Sequence, residues 1–238
     1  IAELSQARAF IETATVGTKV FFAGGSSSRV DIYDLSTNTW LVANLSEAKF
    51  GFTATVADNK IYFAGGYIND GIPTSTKIDI YDNATASWST STLSTPRAYH
   101  AAIFNNGKIY WAGGSTLSDV NGDCCDSLTC NVEIKDINTQ ASSFSSLSYP
   151  KCVSIAFEKN NKIGFFGNPL GPNVNIGCQS IQHFDVYDLS SNSWSVGIFP
   201  QIISSYASIL SVNNTIYIAS HDSQVNCDFI FYVSKLEF

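Results

Sequence analysis

The chain has 238 residues, 45% apolar and only 14% charged, with 13 Lys and Arg against 20 Asp and Glu for a net charge of −7. A chain of this length can bury roughly 70% of its unfolded surface, so a single globular domain over residues 1–238 needs no metal or partner merely to fold. The negative balance argues against nucleic acid or an anionic membrane surface as partner, and no apolar run approaches the roughly 18 residues that membrane insertion requires.

In chain order, the first strong pattern is Lys19-Val20-Phe21-Phe22-Ala23-Gly24-Gly25. It returns as Lys60-Ile61-Tyr62-Phe63-Ala64-Gly65-Gly66 and Lys108-Ile109-Tyr110-Trp111-Ala112-Gly113-Gly114. Looser copies are Lys162-Ile163-Gly164-Phe165-Phe166-Gly167-Asn168 and Thr215-Ile216-Tyr217-Ile218-Ala219-Ser220. Recurrence at this spacing marks a repeat protein whose units bury their faces against one another. Each phrase follows an apolar stretch and a turn, such as Ala98 to Phe104 and Asn105-Asn106-Gly107. After a variable loop comes an alternating strand: Val30-Asp31-Ile32-Tyr33-Asp34, Ile78-Asp79-Ile80-Tyr81-Asp82 or Phe184-Asp185-Val186-Tyr187-Asp188. A polar turn then leads to Trp40, Trp88 or Trp194, while the third unit keeps Asp136 and reaches Phe144 instead. Period-two patterning with turns at these intervals predicts four antiparallel strands per unit and no long amphipathic helix. Radial stacking of such twisted sheets covers their faces and leaves only short edges.

The basic residue opening the strand, the double glycine, the Tyr-Asp pair and the Trp beyond it resemble the Kelch repeat. The resemblance covers nearly the whole chain and implies an all-β, Kelch-like β-propeller of five four-stranded blades. The repeats fall at about 5–45, 46–93, 94–147, 148–199 and 200–238 plus 1–4. A gap-free alignment of the last ten residues sets Phe229 on Asp31 and Phe238 on Trp40, so the chain stops at the Trp position. Ile1-Ala2-Glu3-Leu4 matches Val42-Ala43-Asn44-Leu45, and this N-terminal strand is expected to close the last blade. The rival readings are a cut from a longer array, or self-association in which the terminal strand docks onto a neighbouring molecule. Ile1, with no Met anywhere, reads as a processed or excised start.

The distance from Trp40 to Gly65 equals that from Trp88 to Gly113, whereas the stretch from each glycine to the next Trp varies. Length freedom on a constant scaffold marks the loop between second and third strands as a binding face. Cys124, Cys125, Cys130, Cys178 and Cys227 fall in these loops and Cys152 beside them, an even set of disulfide candidates that favours secretion. Asn44, Asn83 and Asn213 open glycosylation sequons. Asp119, Asn121, Asp123 and Asp126 present oxygens in the manner of a calcium loop, but Cys124 and Cys130 stand where the turn glycine and the bidentate Glu belong. Calcium is thus a weak candidate, and no other cofactor is expected. His100, His183 and His221 lie in different units, which speaks against a shared metal.

Arg8, Lys49, Arg97 and Lys151 occupy one place in four units, just before the innermost strand. They either pair locally to fix the blade or ring the channel mouth to receive an anionic ligand such as an acidic peptide or uronic sugar. Tyr67 puts an aromatic into the loop of the second unit, where it packs the loop or stacks on a ligand. Together these residues predict a secreted, non-catalytic binding module for a protein or a carbohydrate. The alternatives are a structural subunit of an extracellular assembly, a galactose-oxidase-like copper-radical enzyme, whose ligand set maps onto no motif here, and an intracellular ubiquitin-ligase adaptor.

Overall fold

The computed structural model describes residues 3–68, 73–116, 128–168, 181–203, 208–212, 215–222 and 230–236. Among them the secondary structure is all β. The first sheet comprises β1 (Ile11–Val16), β2 (Lys19–Gly24), β3 (Ser27–Asp34) and β4 (Thr39–Phe50). The second comprises β5 (Thr53–Ala57), β6 (Lys60–Ala64), β8 (Lys77–Asp82) and β9 (Ser87–Thr92), while the short β7 (Tyr67–Ile68) crosses to pair with the end of β4. The third runs β10 (Ala101–Asn105), β11 (Lys108–Ala112), β12 (Asn131–Asp136) and β13 (Ser142–Ser146). The fourth runs β14 (Cys152–Lys159), β15 (Lys162–Asn168), β16 (Ile181–Asp188) and β17 (Ser193–Ile203). The last has β18 (Ser208–Val212), β19 (Thr215–Asp222) and β20 (Ile230–Leu236). All neighbours are antiparallel, and the first strands of successive sheets stand side by side in an arc.

The Tyr-Asp and Trp signals have local causes. Each Asp closes the hairpin into the fourth strand as an Asx turn: Asp34, Asp82, Asp136 and Asp188 accept the backbone N–H two residues on at 2.9 Å. The Trp then lies directly across from the Tyr, with ring centroids 5.0 Å apart for Tyr33–Trp40, 5.2 Å for Tyr81–Trp88 and 5.0 Å for Tyr187–Trp194. These pairs also pack between sheets, since Phe21 of the first sheet sits 4.8 Å from the Tyr81 ring and 6.4 Å from Trp88. Apolar clusters of this kind join the first sheet to the second, the second to the third, and so on to the last.

A buried polar device holds successive units in register. A Leu-Ser pair precedes each cation: Leu4-Ser5 and Arg8, Leu45-Ser46 and Lys49, Leu93-Ser94 and Arg97, Leu147-Ser148 and Lys151. The Ser backbone N–H donates to the acid in the middle of the third strand, at 3.3 Å for Asp31, 2.8 Å for Asp79, 2.9 Å for Glu133 and 2.8 Å for Asp185. Three cations pair with the same acid, Arg8 with Asp31, Lys49 with Asp79 at 2.9 Å, and Lys151 with Asp185. Arg97 instead donates to the carbonyls of Trp111, Gly113 and Asn131 at 3.2, 3.1 and 3.1 Å, with Glu133 acting through space. Burial pushes the Lys49 and Lys151 ammonium pKa values down and the acids oppose it; Arg97 falls to about 10 and stays charged at neutral pH.

The glycine pair grips the backbone of the same cation in the following unit. Gly66 N–H donates to the Arg97 carbonyl and Gly114 N–H to the Lys151 carbonyl, both at 2.8 Å. The first glycine of each pair is left-handed, with φ +69° at Gly65 and +70° at Gly113, and a Cβ on Gly113 would lie 2.7 Å from the Lys151 oxygen. In the fourth unit Gly167 precedes Asn168, and the connector beyond it, Phe199 to Ile203, carries no cation. The last unit places Ser234 at the register of Asp31, because Ile218 pairs with Ser234 as Phe22 pairs with Asp31. At this joint the second glycine, the cation and the acid are absent together.

That register corrects the expected end of the ring. Leu236, opposite Ile216, stands where Tyr33 stands opposite Val20, so the gap-free match of Phe238 to Trp40 does not hold. Of the expected closing strand, Ile1 and Ala2 lie outside the described residues and Glu3 and Leu4 belong to no strand, while Ser5 meets Asp31 of the first sheet. Among the described residues the last sheet has three strands and no apolar cluster joins it to the first. Trp40 and Tyr217, whose counterparts elsewhere pack between sheets, are 36% and 40% exposed.

Removing one member of a buried pair strands the other. Lys49→Met is expected to lower the urea-unfolding free energy by about 3–5 kcal/mol, and adding Asp79→Leu to recover part of that loss. Gly113→Ala is expected to cost about 2 kcal/mol or more by the same measurement, through its φ and the Lys151 carbonyl.

Candidate functional site

Because β1, β5, β10 and β14 are the first strands of adjacent sheets, they enclose a cavity of about 410 Å³. Its wall includes Phe10, Glu12, Thr53, Thr55, Tyr99 and His100. Phe10, Gly51 and Tyr99 all precede their strands, so the cavity reaches the end of the sheets where the connectors arrive.

At that end the backbone is left-handed two residues after each of three cations, with φ 56° at Phe10, 63° at Gly51 and 49° at Tyr99. Glycine adopts this conformation freely, whereas a side chain there costs about 1–2 kcal/mol. Phe10 is nonetheless 76% exposed, so burial of its ring does not offset that cost. The Tyr99 N–H donates to the Gly51 carbonyl at 2.7 Å, and its ring covers Gly51 so closely that a Cβ would lie 3.0 Å from Cε1. Tyr67 and Phe50 back this ring, with centroids 5.6 and 6.4 Å away.

Deeper in, burial raises the Glu12 carboxyl pKa from 4.5 to about 7. His100 is 3% exposed and is held neutral by burial and by the nearby charges of Arg97 and Lys49. Its Nε2 lies 3.0 Å from Thr53 Oγ1, while Nδ1 has no partner. Thr55, 7% exposed, also leaves its buried Oγ1 unpartnered.

The candidates named from sequence are distributed differently. Lys49, Arg97 and Lys151 are wholly buried and the Arg8 side chain nearly so, all engaged by carboxylates and carbonyls; they do not form an open basic ring. Burying a cation so deeply requires those internal partners, which leaves no free cationic group for an outside anion. Tyr67 is likewise buried, opposite Phe50, so it supports Tyr99 and does not present a surface ring. The calcium candidates Asp119, Asn121, Asp123 and Asp126 lie outside the described residues, as do Cys124, Cys125, Cys178, Cys227 and Asn213. Among the described residues no group of three or more His, Cys, Asp or Glu could hold a metal ion. Among the described residues Cys130 is half-buried with a free thiol, and Cys152 begins β14. Asn44 is exposed on β4, whereas the Asn83 amide joins the first two sheets, accepting from Lys19 Nζ at 3.0 Å and donating to Asn59 at 3.2 Å.

Glu12 carries no motif, yet the internal register marks it. It stands opposite Ala23 as Thr53 stands opposite Ala64 and Ala101 opposite Ala112, and is the charged residue of that set.

Between pH 4.5 and about 7 the folded chain keeps a proton on Glu12 that the unfolded chain has lost. Stability is untouched by this group below that window, falls as pH rises through it, and is level above it. Urea unfolding at pH 5 and pH 8 is expected to show a decline that Glu12→Gln removes, at most roughly 3 kcal/mol. Equal declines in both proteins would contradict the assignment.

No family model matches the sequence. No curated protein matches it either. Among solved structures the chain is similar to that of YjhT, with a TM-score of 0.69 and 15% identity, over 97% of this chain and 84% of that one. At that identity the likeness carries the fold alone, a propeller-like all-β arrangement of antiparallel sheets.

Proposed function

We propose that the chain is a non-catalytic, Kelch-type binding module that recognises a glycan at the end of the sheets where the connectors enter the innermost strands. The observation that carries this reading is the mouth of the cavity, where Phe10 and Tyr99 keep a left-handed backbone that glycine adopts without cost at Gly51. Strain retained in a position the fold itself would fill with glycine points to a use for the side chain. An exposed ring beside a concave wall that mixes apolar side chains with Glu12, Thr53, Thr55 and His100 suits the C–H face of a sugar, and a cavity of about 410 Å³ suits a small ligand or the end of a chain rather than a folded domain. In the first three sheets the glycine pair after the second strand touches the same connectors.

A glycan array probed with the intact chain tests the reading. Binding to a defined group of glycans is expected, and it should drop at least tenfold in Phe10→Gly while stability stays unchanged or rises by up to about 1 kcal/mol. Retention of no glycan, or equal retention by Phe10→Gly, would contradict it.

A further inference from the structure

Glu12 stands half-buried on β1 and lines the cavity. Among the described residues its carboxyl makes no hydrogen bond or ion pair, and its oxygens keep contact with open space, unlike the sealed hydroxyl of Thr55. The buried acids of the third strands are all answered from within the chain. Asp31 pairs with Arg8, Asp79 with Lys49 and Asp185 with Lys151, while Glu133 accepts from Ser94 Oγ at 2.6 Å. A carboxyl drawn partly out of water without such a partner must keep a proton or acquire a cation.

The charges around Glu12 show that the chain supplies no such cation. Arg97 and Lys49 are felt at His100, but neither lines the cavity, and each has an acid of its own, Asp79 for Lys49 and Glu133 acting on Arg97. Had positive charge reached Glu12 it would have pulled the carboxyl pKa down, whereas burial raises it to about 7. Ala23 lies opposite on β2, and the facing stretch of β5 brings Thr53, Ala54 and Thr55, none of them charged. His100 is held neutral, and Arg8 is turned to Asp31. Once ionised, Glu12 is therefore a negative charge without a counter-ion, in a place where water screens it poorly. At the mouth, Phe10 is 76% exposed and Tyr99 shares the wall, and aromatic faces also attract cations.

We infer that the cavity takes a glycan with a free amine, a hexosamine residue whose ammonium group pairs with the Glu12 carboxylate while its ring lies against Phe10 and Tyr99. The inference rests on the glycan-binding reading above and adds to it the class of sugar and the residue that chooses it. N-acetylation removes the charge and leaves Glu12 unanswered. The pairing is also linked to a proton. At pH 6 the carboxyl of the empty chain still holds its proton, and an arriving ammonium group, which favours the ionised form, displaces that proton to solvent.

The test uses the intact chain with glucosamine and N-acetylglucosamine oligomers of matched length, by calorimetry at pH 6 in buffers of different ionisation enthalpy and on the array. The free-amine oligomer is expected to bind about tenfold or more tightly than its acetylated counterpart, with release of up to about one proton. Glu12→Gln should abolish both the preference and the proton release, while its melting temperature at pH 5, where the native carboxyl is also uncharged, stays unchanged. Equal binding of the two oligomers, a preference that survives in Glu12→Gln, or binding confined to glycans without a free amine would overturn the inference and leave the glycan reading in place. Absence of any glycan binding overturns both.

Discussion

A cation buried between two sheets governs this molecule. Each of Lys49, Arg97 and Lys151 arrives on a connector and inserts its side chain into its own sheet beside an acid or a set of carbonyls, and the carbonyls of Arg97 and Lys151 accept from the glycines of the sheet before. Neither half works alone. An unpaired buried ammonium or guanidinium costs several kcal/mol, and the glycine grip exists only because no Cβ intervenes between the two backbones. The joint therefore adds directional contacts between neighbouring sheets to apolar packing, which tolerates repacking.

The shape and chemistry of the cavity follow from that joint. Two residues after Arg8, Lys49 and Arg97 the backbone turns left-handed at the mouth, and the innermost strand begins just beyond. Withdrawing the cations into the sheets leaves a wall of Thr, Ala, aromatic rings, one neutral His and one acid whose ionisation is deferred by burial. A chain of net negative charge thus keeps its Lys and Arg side chains off the cavity wall.

Much of this was legible before any coordinates. The repeated glycine phrase, the Tyr-Asp pair and the Trp marked the strands correctly because each acts locally, in a turn or a cross-strand pair. The four cations were legible as a set but not in orientation, since a Lys in a polar connector reads as exposed until its acid, far along the chain on the third strand, is brought to it. Asp31 and its counterparts, polar positions of an alternating strand, prove to be its buried polar centre. The last unit misled because it has lost the markers that fix register, leaving the strand ladder to show that Ser234 takes the place of Asp31. Glu12 stood out only against its structural equivalents in the other units, Thr53 and Ala101.

The joint is most directly tested by native-state hydrogen exchange at the Gly66 and Gly114 amides, which donate to the Arg97 and Lys151 carbonyls. If the cation joint organises the fold, both amides exchange only through global unfolding, with the free energy measured by denaturant, and both lose that protection selectively when the cation they face is replaced by Met. Exchange of these amides at the rate of the surface hairpins, with the innermost strands still protected, would contradict the account.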